Sequence, residues 1–355
     1  MIERICLNYI AERSYSMKKL IITLLIIFLV ITAIGVGAML YVNQELDKKA
    51  FPSGEKIISI PSGTSLTGAV RIMNEENLLE SDWLFELTLK TYARLAEKTL
   101  YAGTYQYDST MTNRDIINSI LSGAHQYTLK VTFPEGISYE EIARIASEKL
   151  DIDEIEFLKL AKDDSLLAEL GIDAENMEGY LLPETYEFYM NVTAESVIRK
   201  LKNHQDEVWE SVQDDARRLS YTRHEILTMA SIVEAETPVD SEKERVSGVY
   251  HNRMEKGMLL QADPTVQYAV GNKKRILYKH LKVNNPYNTY KFVGLPPGPI
   301  NCPGRKAIEA ACRPEDHEYF YFVAVGDGSG KHNFAKNMSG HSKNIRTYRN
   351  NRKAQ

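Results

Sequence analysis

Cysteine and tryptophan are scarce in this chain of 355 residues, which has three of the first and two of the second. Cys6, Cys302 and Cys312 are too few to hold a scaffold together by disulfides. A large excess of charge of one sign is missing too. Lys and Arg total 43 against 48 Asp and Glu, a formal charge of −5, and no long basic block occurs, which argues against a nucleic-acid binder. Glycine (20) and proline (12) are not in excess and 43% of the residues are hydrophobic, which excludes collagen-like, mucin-like and mainly disordered chains. There is no Walker loop and no G-x-S-x-G elbow. His224-Glu225 opens like a zincin helix, but Thr228 stands where the second histidine is needed. No Cys or His cluster has metal spacing, so neither a metal nor a cofactor is expected.

What is present begins with an apolar run, Leu20 to Val42, without charge or proline. At about 1.5 Å per residue it reaches about 34 Å, enough for a bilayer core of about 30 Å. A cleaved signal peptide has a shorter apolar region, about 7–15 residues. Lys18 and Lys19 precede the run, while Lys48 and Lys49 beyond it are offset by Glu45 and Asp47. The charge asymmetry favours a cytoplasmic N-terminus (1–19), a membrane helix (20–42) and an exported remainder. Met17-Lys-Lys-Leu reads like a natural start, which would make residues 1–16 an upstream extension of a chain that begins at Met1. Cys302 and Cys312 fall on the exported side, where a bridge is permitted; two free thiols are the expected state.

Residues 43–50 read as a polar tether. A β-like run, a turn at Pro61-Ser62-Gly63 and a helix-period stretch follow, and residues 131–146 repeat the pattern at an offset of 73. Pro61, Gly63, Ser65, Arg71 and Ile72 match Pro134, Gly136, Ser138, Arg144 and Ile145, so two related β-turn-α units are expected. Tyr105 and Tyr107 alternate in a strand, and Thr112 to Leu121 is a helix stopped by Gly123. Residues 51–125 thus form a small α+β module. From 126 onward helices dominate until a hairpin at 319–334, and the fold class is α+β.

The densest chemistry lies in 220–305. Thr222-Arg-His-Glu225 is a capping box opening a helix that Pro238 stops. Ile226, Leu227, Met229, Ala230, Ile232 and Val233 make that helix apolar nearly all round, the mark of a buried element. Glu234 shares a side with Leu227 and Ala230, and Glu236 points about the opposite way. A carboxyl on an interior helix, in its last turn, has its pKa raised by lost hydration and by the helix dipole, as a general acid requires. The competing reading pairs Glu234 with Arg245 or Arg253 in a purely structural role. Gln261-Ala-Asp-Pro264 looks like an Asp N-cap followed by proline. Asn288-Thr-Tyr290 and Gly294 to Ile300 are loop sequences that suit a sugar-binding cleft. His332 and His341 read as satisfied surface or hairpin residues rather than substrate contacts.

Several of these stretches resemble the YceG-like (MltG-type) endolytic murein transglycosylases. The resemblance is carried by EGYLLPETYEF (178–188), ASIVEAET (230–237), HNR (251–253), GMLLQADPTVQYAVG (257–271), YNTY (287–290), GLPPGPI (294–300) and GKHNF (330–334). It implies a single-pass cell-membrane protein with a LysM-like module, here 51–125, an extracytoplasmic catalytic domain, here 126–348, and a short tail, 349–355. It selects Glu234, the first Glu of S-I-V-E-x-E-T, as catalytic. Glu236 would support the cleft, and Gln261, Asp263, Asn288, Thr289 and Tyr290 would position sugar. The implied reaction cleaves the β-1,4 bond from N-acetylmuramic acid to N-acetylglucosamine in nascent peptidoglycan strands and leaves 1,6-anhydro ends. The implied role is terminating glycan elongation, with peptidoglycan synthases as partners. A muramidase-type hydrolase would need a second carboxylate, Glu236 or Asp263. The reading from a different class is a non-catalytic, glycan-binding membrane scaffold.

Overall fold

The computed structural model describes residues 2–79, 82–190, 192–271 and 276–354; Met1 lies outside the described residues. The chain divides into two compact units, Met1–Tyr127 and Thr128–Gln355.

In the first unit, helix α1 (Ile2–Leu46) contains a 30-residue stretch, Met17–Leu46, that is long and apolar enough to cross a membrane. Its apolar residues from Leu20 to Tyr41 are exposed, with no protein core to receive them. Strand β1 (Glu55–Ile60), α2 (Leu66–Glu75), α3 (Asp82–Leu95), β2 (Gly103–Asp108) and α4 (Asn113–Ser122) follow. β1 and β2 pair antiparallel, Glu55 opposite Asp108 and Ile60 opposite Gly103. The alternation expected in β2 buries Tyr105 and Tyr107 on one face, where they stack at 5.9 Å against the core of α2, α3 and α4. Local chemistry sets the helix ends: Ser65 caps α2, Thr112 and Asp115 form a capping box on α4, and Gly123 closes α4 at φ 74°.

The stretch expected to be a tether is packed. Helix α1 runs through Asn43 to Leu46, Lys49 bridges to Thr112, and Ala50 and Phe51 are buried. Arg114 on α4 donates to Asp47 Oδ1 at 2.9 Å and Asn43 Oδ1 at 3.0 Å, and Asn113 Nδ2 donates to the Glu45 carbonyl at 3.1 Å.

The second unit runs β3 (Thr128–Thr132), α5 (Tyr139–Leu150), α6 (Glu154–Leu160), α7 (Asp164–Glu169), β4 (Thr185–Tyr189), α8 (Ala194–Arg218), α9 (Arg223–Glu236), α10 (Asp240–Glu255) and α11 (Asp263–Ala269). A single 3-10 turn (His280–Lys282), α12 (Arg305–Cys312), β5 (Tyr321–Ala324), β6 (His332–Ala335) and α13 (Met338–Ala354) complete it. β3 pairs antiparallel with β4, and β5 with β6 in the expected hairpin. The second β-turn-α unit opens α5 with a Ser138–Glu141 capping box.

Helix α9 lies at the centre. The Thr222–Glu225 capping box is formed, residues 226–233 are all buried, and α8, α10, α11 and α12 pack around it. Burying those side chains is the main reason the helix stands here, since each large apolar side chain contributes about 1.5–3 kcal/mol. Cys302 and Cys312 are free and buried, not bridged.

Helix α10 passes close under the segment before the hairpin. A Cβ at Gly248 would lie 2.5 Å from the Glu315 carbonyl oxygen and 2.8 Å from His317 Nε2. Gly248→Ala is expected to cost about 1–3 kcal/mol through overpacking, read by urea denaturation.

Candidate active site

The C-terminal end of α9 carries two carboxylates that go separate ways. Glu236 lines a cleft of about 340 Å³ with Gln261, Asp263, Tyr290, Tyr321 and His332 among the other walls. Glu234 does not line it.

Glu236 accepts a hydrogen bond from Tyr250 Oη at 2.9 Å. Burial pushes its carboxyl up to about 7. The Tyr250 hydroxyl and the Arg253 guanidinium pull against that rise, and Asp263 adds to it. Tyr250 is itself buried, and both burial and Glu236 raise its hydroxyl well above the ordinary range, so it stays a donor. Arg253 is committed elsewhere: it donates to the Phe320 carbonyl at 2.8 Å and to the Leu260 carbonyl. It therefore ties the hairpin and the 260 loop to α10, which shapes the cleft.

Glu234 sits in a buried ion cluster. Lys243 Nζ lies 3.1 and 3.3 Å from its two oxygens, 2.9 Å from Asp240 Oδ1 and 3.6 Å from Glu135 Oε2. The Gly304 N–H donates to Glu234 Oε2 at 3.1 Å. The side chains of Lys243 and Glu234 are only 2% and 7% exposed. Burial raises the Glu234 carboxyl above its ordinary value; Lys243 and the Gly304 N–H pull against the rise and Glu135 adds to it. Burial alone would lower Lys243, but Asp240 and Glu234 outweigh it and hold the ammonium charged. Gly136, at φ 75°, closes over this cluster, and a Cβ there would come within 3.3 Å of Glu234 Cγ. Glu234 thus has an ion partner, Lys243, as the structural reading required, and a raised carboxyl, as the general-acid reading required. Arg245 instead pairs with Glu315 at 3.0 Å.

The remaining expected residues divide the same way. Gln261 and Asp263 line the cleft. Gln261 adopts a left-handed backbone at φ 52°, held by its N–H to the Thr289 carbonyl at 3.1 Å, a local strain of the kind found at binding sites. Asp263 is not a cap; Ala262 occupies that position. Its carboxylate instead accepts from Tyr290 Oη at 2.7 Å, a contact between residues 27 apart in sequence. Asn288 and Thr289 are fully buried and are not among the residues lining the cleft, so their burial lends no support to the expected sugar contact. Asn288 Nδ2 donates to the Leu281 and Val283 carbonyls, and Thr289 Oγ1 accepts from the Ala262 N–H, so the pair braces the loop that presents Tyr290.

His332, weighed from the sequence as a substrate contact and read as a satisfied hairpin residue, is indeed paired. Its Nδ1 lies 2.9 Å from Glu242 Oε2, and its backbone N–H also donates to that carboxylate. An imidazole fixed by a carboxylate at one nitrogen has a set ring orientation, and this one lines the cleft. His341 stacks on Tyr321 at 5.3 Å in the same wall. The hairpin motif was visible, but its approach to α9 is a tertiary event. Among the described residues no group of three or more His, Cys, Asp or Glu side chains is arranged to hold a metal.

A half-enclosed acid near neutrality, tyrosine and histidine donors and flat aromatic walls form a site suited to a polar polymer and to proton transfer. The YceG-like family model matches residues 58–347. The endolytic murein transglycosylase of Bacillus subtilis (strain 168) is 30% identical over 324 residues, covering 86% of this chain and 89% of that one. Its namesake in Streptococcus pneumoniae serotype 2 is 26% identical, with 92% of this chain and 65% of that one covered. The crystal structure of a YceG-like protein from Listeria monocytogenes aligns with a TM-score of 0.55 at 31% identity, covering 82% of this chain and 99% of that one. With the family pattern extending from the first module through the hairpin and into α13, the chain belongs to the YceG-like family.

Proposed function

We propose that this chain is an endolytic murein transglycosylase that cleaves the N-acetylmuramic acid to N-acetylglucosamine β-1,4 bond of peptidoglycan, with Glu236 rather than Glu234 as its acid. The observation that carries this reading is the place of Glu236 on the wall of the cleft, with Tyr250 Oη donating to it; burial raises its carboxyl to about 7. Near neutral pH it holds a proton for a substantial fraction of the time. It gives that proton to the bridging oxygen as the C1–O bond breaks. The resulting carboxylate, steadied by Tyr250 Oη, takes the proton of the muramoyl C6 hydroxyl, and O6 closes on C1. The attacking oxygen belongs to the substrate, so no water is consumed and one carboxyl serves both steps. Gln261, Asp263 with Tyr290, and His332 offer the surrounding sugar hydrogen-bond partners. Glu234 and Lys243 act as a brace for the helix end.

The 30-residue apolar stretch of α1 supports single-pass anchoring, and the lysines before it support a cytoplasmic N-terminus with the second unit outside. The β-α-α-β order of residues 55–108 supports the LysM-like reading of the first module. Action on nascent strands would make synthases its neighbours.

Incubating the full chain in detergent with uncrosslinked glycan strands, and weighing the fragments, tests the reaction. Anhydro ends are expected. Fragments heavier by one water would instead establish a hydrolase, for which Asp263 is the second carboxylate in the cleft.

A further inference from the structure

Helix α3 is apolar on two sides. Phe85, Leu89 and Ala93 are buried in the core of the first unit. Trp83, Leu87 and Leu95 are 64%, 56% and 79% exposed. At 100° per residue Trp83, Leu87, Lys90, Thr91, Arg94 and Leu95 fall within about 140° of one another, on one side of the helix. A single exposed leucine needs no explanation; a tryptophan and two leucines in line, interleaved with cations, do. The hydroxyl in this stripe is satisfied within the helix, because Thr91 Oγ1 donates to the Leu87 carbonyl at 2.7 Å.

The stripe begins where the apolar run of α1 ends. Leu84 and Thr88, next round the helix from Leu87, share a small pocket with Glu45 and Leu46 of α1, and Leu46 packs against the core of the unit. Leu46 is four residues past Val42, one helical turn, or about 6 Å along the axis. Outside a hydrocarbon core of about 30 Å the headgroup layer adds about 5–8 Å on each side. With the apolar run in the core, the first turns of α3 therefore lie at headgroup depth. Tryptophan, with an apolar ring and one N–H, and long cations that can snorkel are the side chains that favour this layer. Lys90, Arg94 and Lys98 are exposed, against Glu97 and the half-buried Glu86. Glu86 accepts from Lys90 at 2.5 Å and from Thr67 of α2 at 2.8 Å, which turns it away from the stripe. The remaining charge is weakly positive, as an anionic surface would select.

We propose that the exposed face of α3, from Trp83 to Leu95, docks into the headgroup layer of the bilayer that holds α1, with a preference for anionic lipid. The inference rests on the anchoring reading above and adds to it a second membrane contact, made by the first module itself.

The chain has two tryptophans, Trp83 and Trp209. The full chain carrying Trp209→Phe, which keeps a ring beside Arg223, therefore reports on α3 alone. It is reconstituted into vesicles of phosphatidylcholine and phosphatidylglycerol, with or without bromine on the acyl chains near the headgroups. Bromine quenches tryptophan only at contact range. Trp83 emission is expected to fall about twofold or more in the brominated vesicles, and by less when phosphatidylglycerol is left out. Leu87→Glu with Leu95→Glu, both at exposed positions, should remove most of the quenching while the melting temperature holds. Equal emission from both kinds of vesicle overturns the docking, and so does quenching that survives the glutamate pair. The primary comparison needs only Trp209→Phe, so it stands even if the glutamate pair does not fold. A chain that fails to float with the vesicles defeats the anchoring reading instead. One that floats with Trp83 unquenched defeats only the docking. An emission that follows protein density in the membrane, and not bromine, gives the stripe to a second copy of the chain and overturns the proposal.

Discussion

Glu236→Gln is expected to abolish formation of anhydro ends and, at the same time, to make the second unit more stable above neutral pH. A positioned acid–base group contributes about 10²–10⁴-fold to rate, and this one is asked to act twice. The amide keeps the shape and still accepts from Tyr250 Oη, so loss of activity will not reflect loss of fold. The stability gain follows from the proton. The native carboxyl titrates near 7 against 4.5 for an unperturbed one. Below about 4.5 both states hold the proton and the group contributes no difference. As pH rises through the window to about 7, the unfolded chain releases it first, and native stability falls. The full loss, on the order of 3 kcal/mol, is present only above that window. Glutamine has no proton to lose. Melting curves of wild type and variant should therefore converge near pH 4 and separate by several degrees at pH 8. A variant that still cuts strands removes Glu236 from the chemistry; curves that stay parallel from pH 4 to 8 contradict its raised pKa.

Lys243→Met should have the largest effect on stability, about 3–5 kcal/mol, because it leaves Glu234 buried without its cation. The neutral side chain is nearly the same length, so packing is largely kept. The defect should ease at low pH, where the stranded carboxyl takes up a proton, and it should be largely relieved in the Lys243→Met, Glu234→Gln double variant. Glu234→Gln alone leaves Lys243 its contacts with Asp240 and Glu135, and is expected to fold and to retain cleavage within about tenfold. Urea denaturation of the four proteins closes the cycle. A double variant destabilised by the sum of the two single changes would show that the pair is not coupled. Loss of cleavage in folded Glu234→Gln would return the catalytic role to Glu234.

Helix α9 was legible from residues alone, because its capping box and its continuous apolar surface are local facts. So were the hairpin, the strand in which Tyr105 and Tyr107 alternate and the two β-turn-α units. The opposite directions of Glu234 and Glu236 follow from helical geometry, and both carboxyls are raised by burial. What the periodicity does not contain is which side faces open space. That is decided by Gln261, Asp263, Tyr290 and the hairpin, which arrive from 25 to 100 residues downstream. Lys243 is only nine residues beyond Glu234, yet a lysine so near a polar stretch reads as solvated until α10 is seen to fold back on α9. Asp263 was mistaken for a cap for the same reason: the hydroxyl that occupies it comes from Tyr290. Asn288 and Thr289 read as ligand-facing because loop amides and hydroxyls usually are; here they satisfy the loop's own backbone.

The clasp of Arg114 on Asn43 and Asp47 joins the first module to the last turns of α1. If α1 is held in a bilayer, that module loses independent tumbling. A spin label on α4 would then report the slow wobble of a lipid-embedded rod, and its search for glycan would be a diffusion in two dimensions.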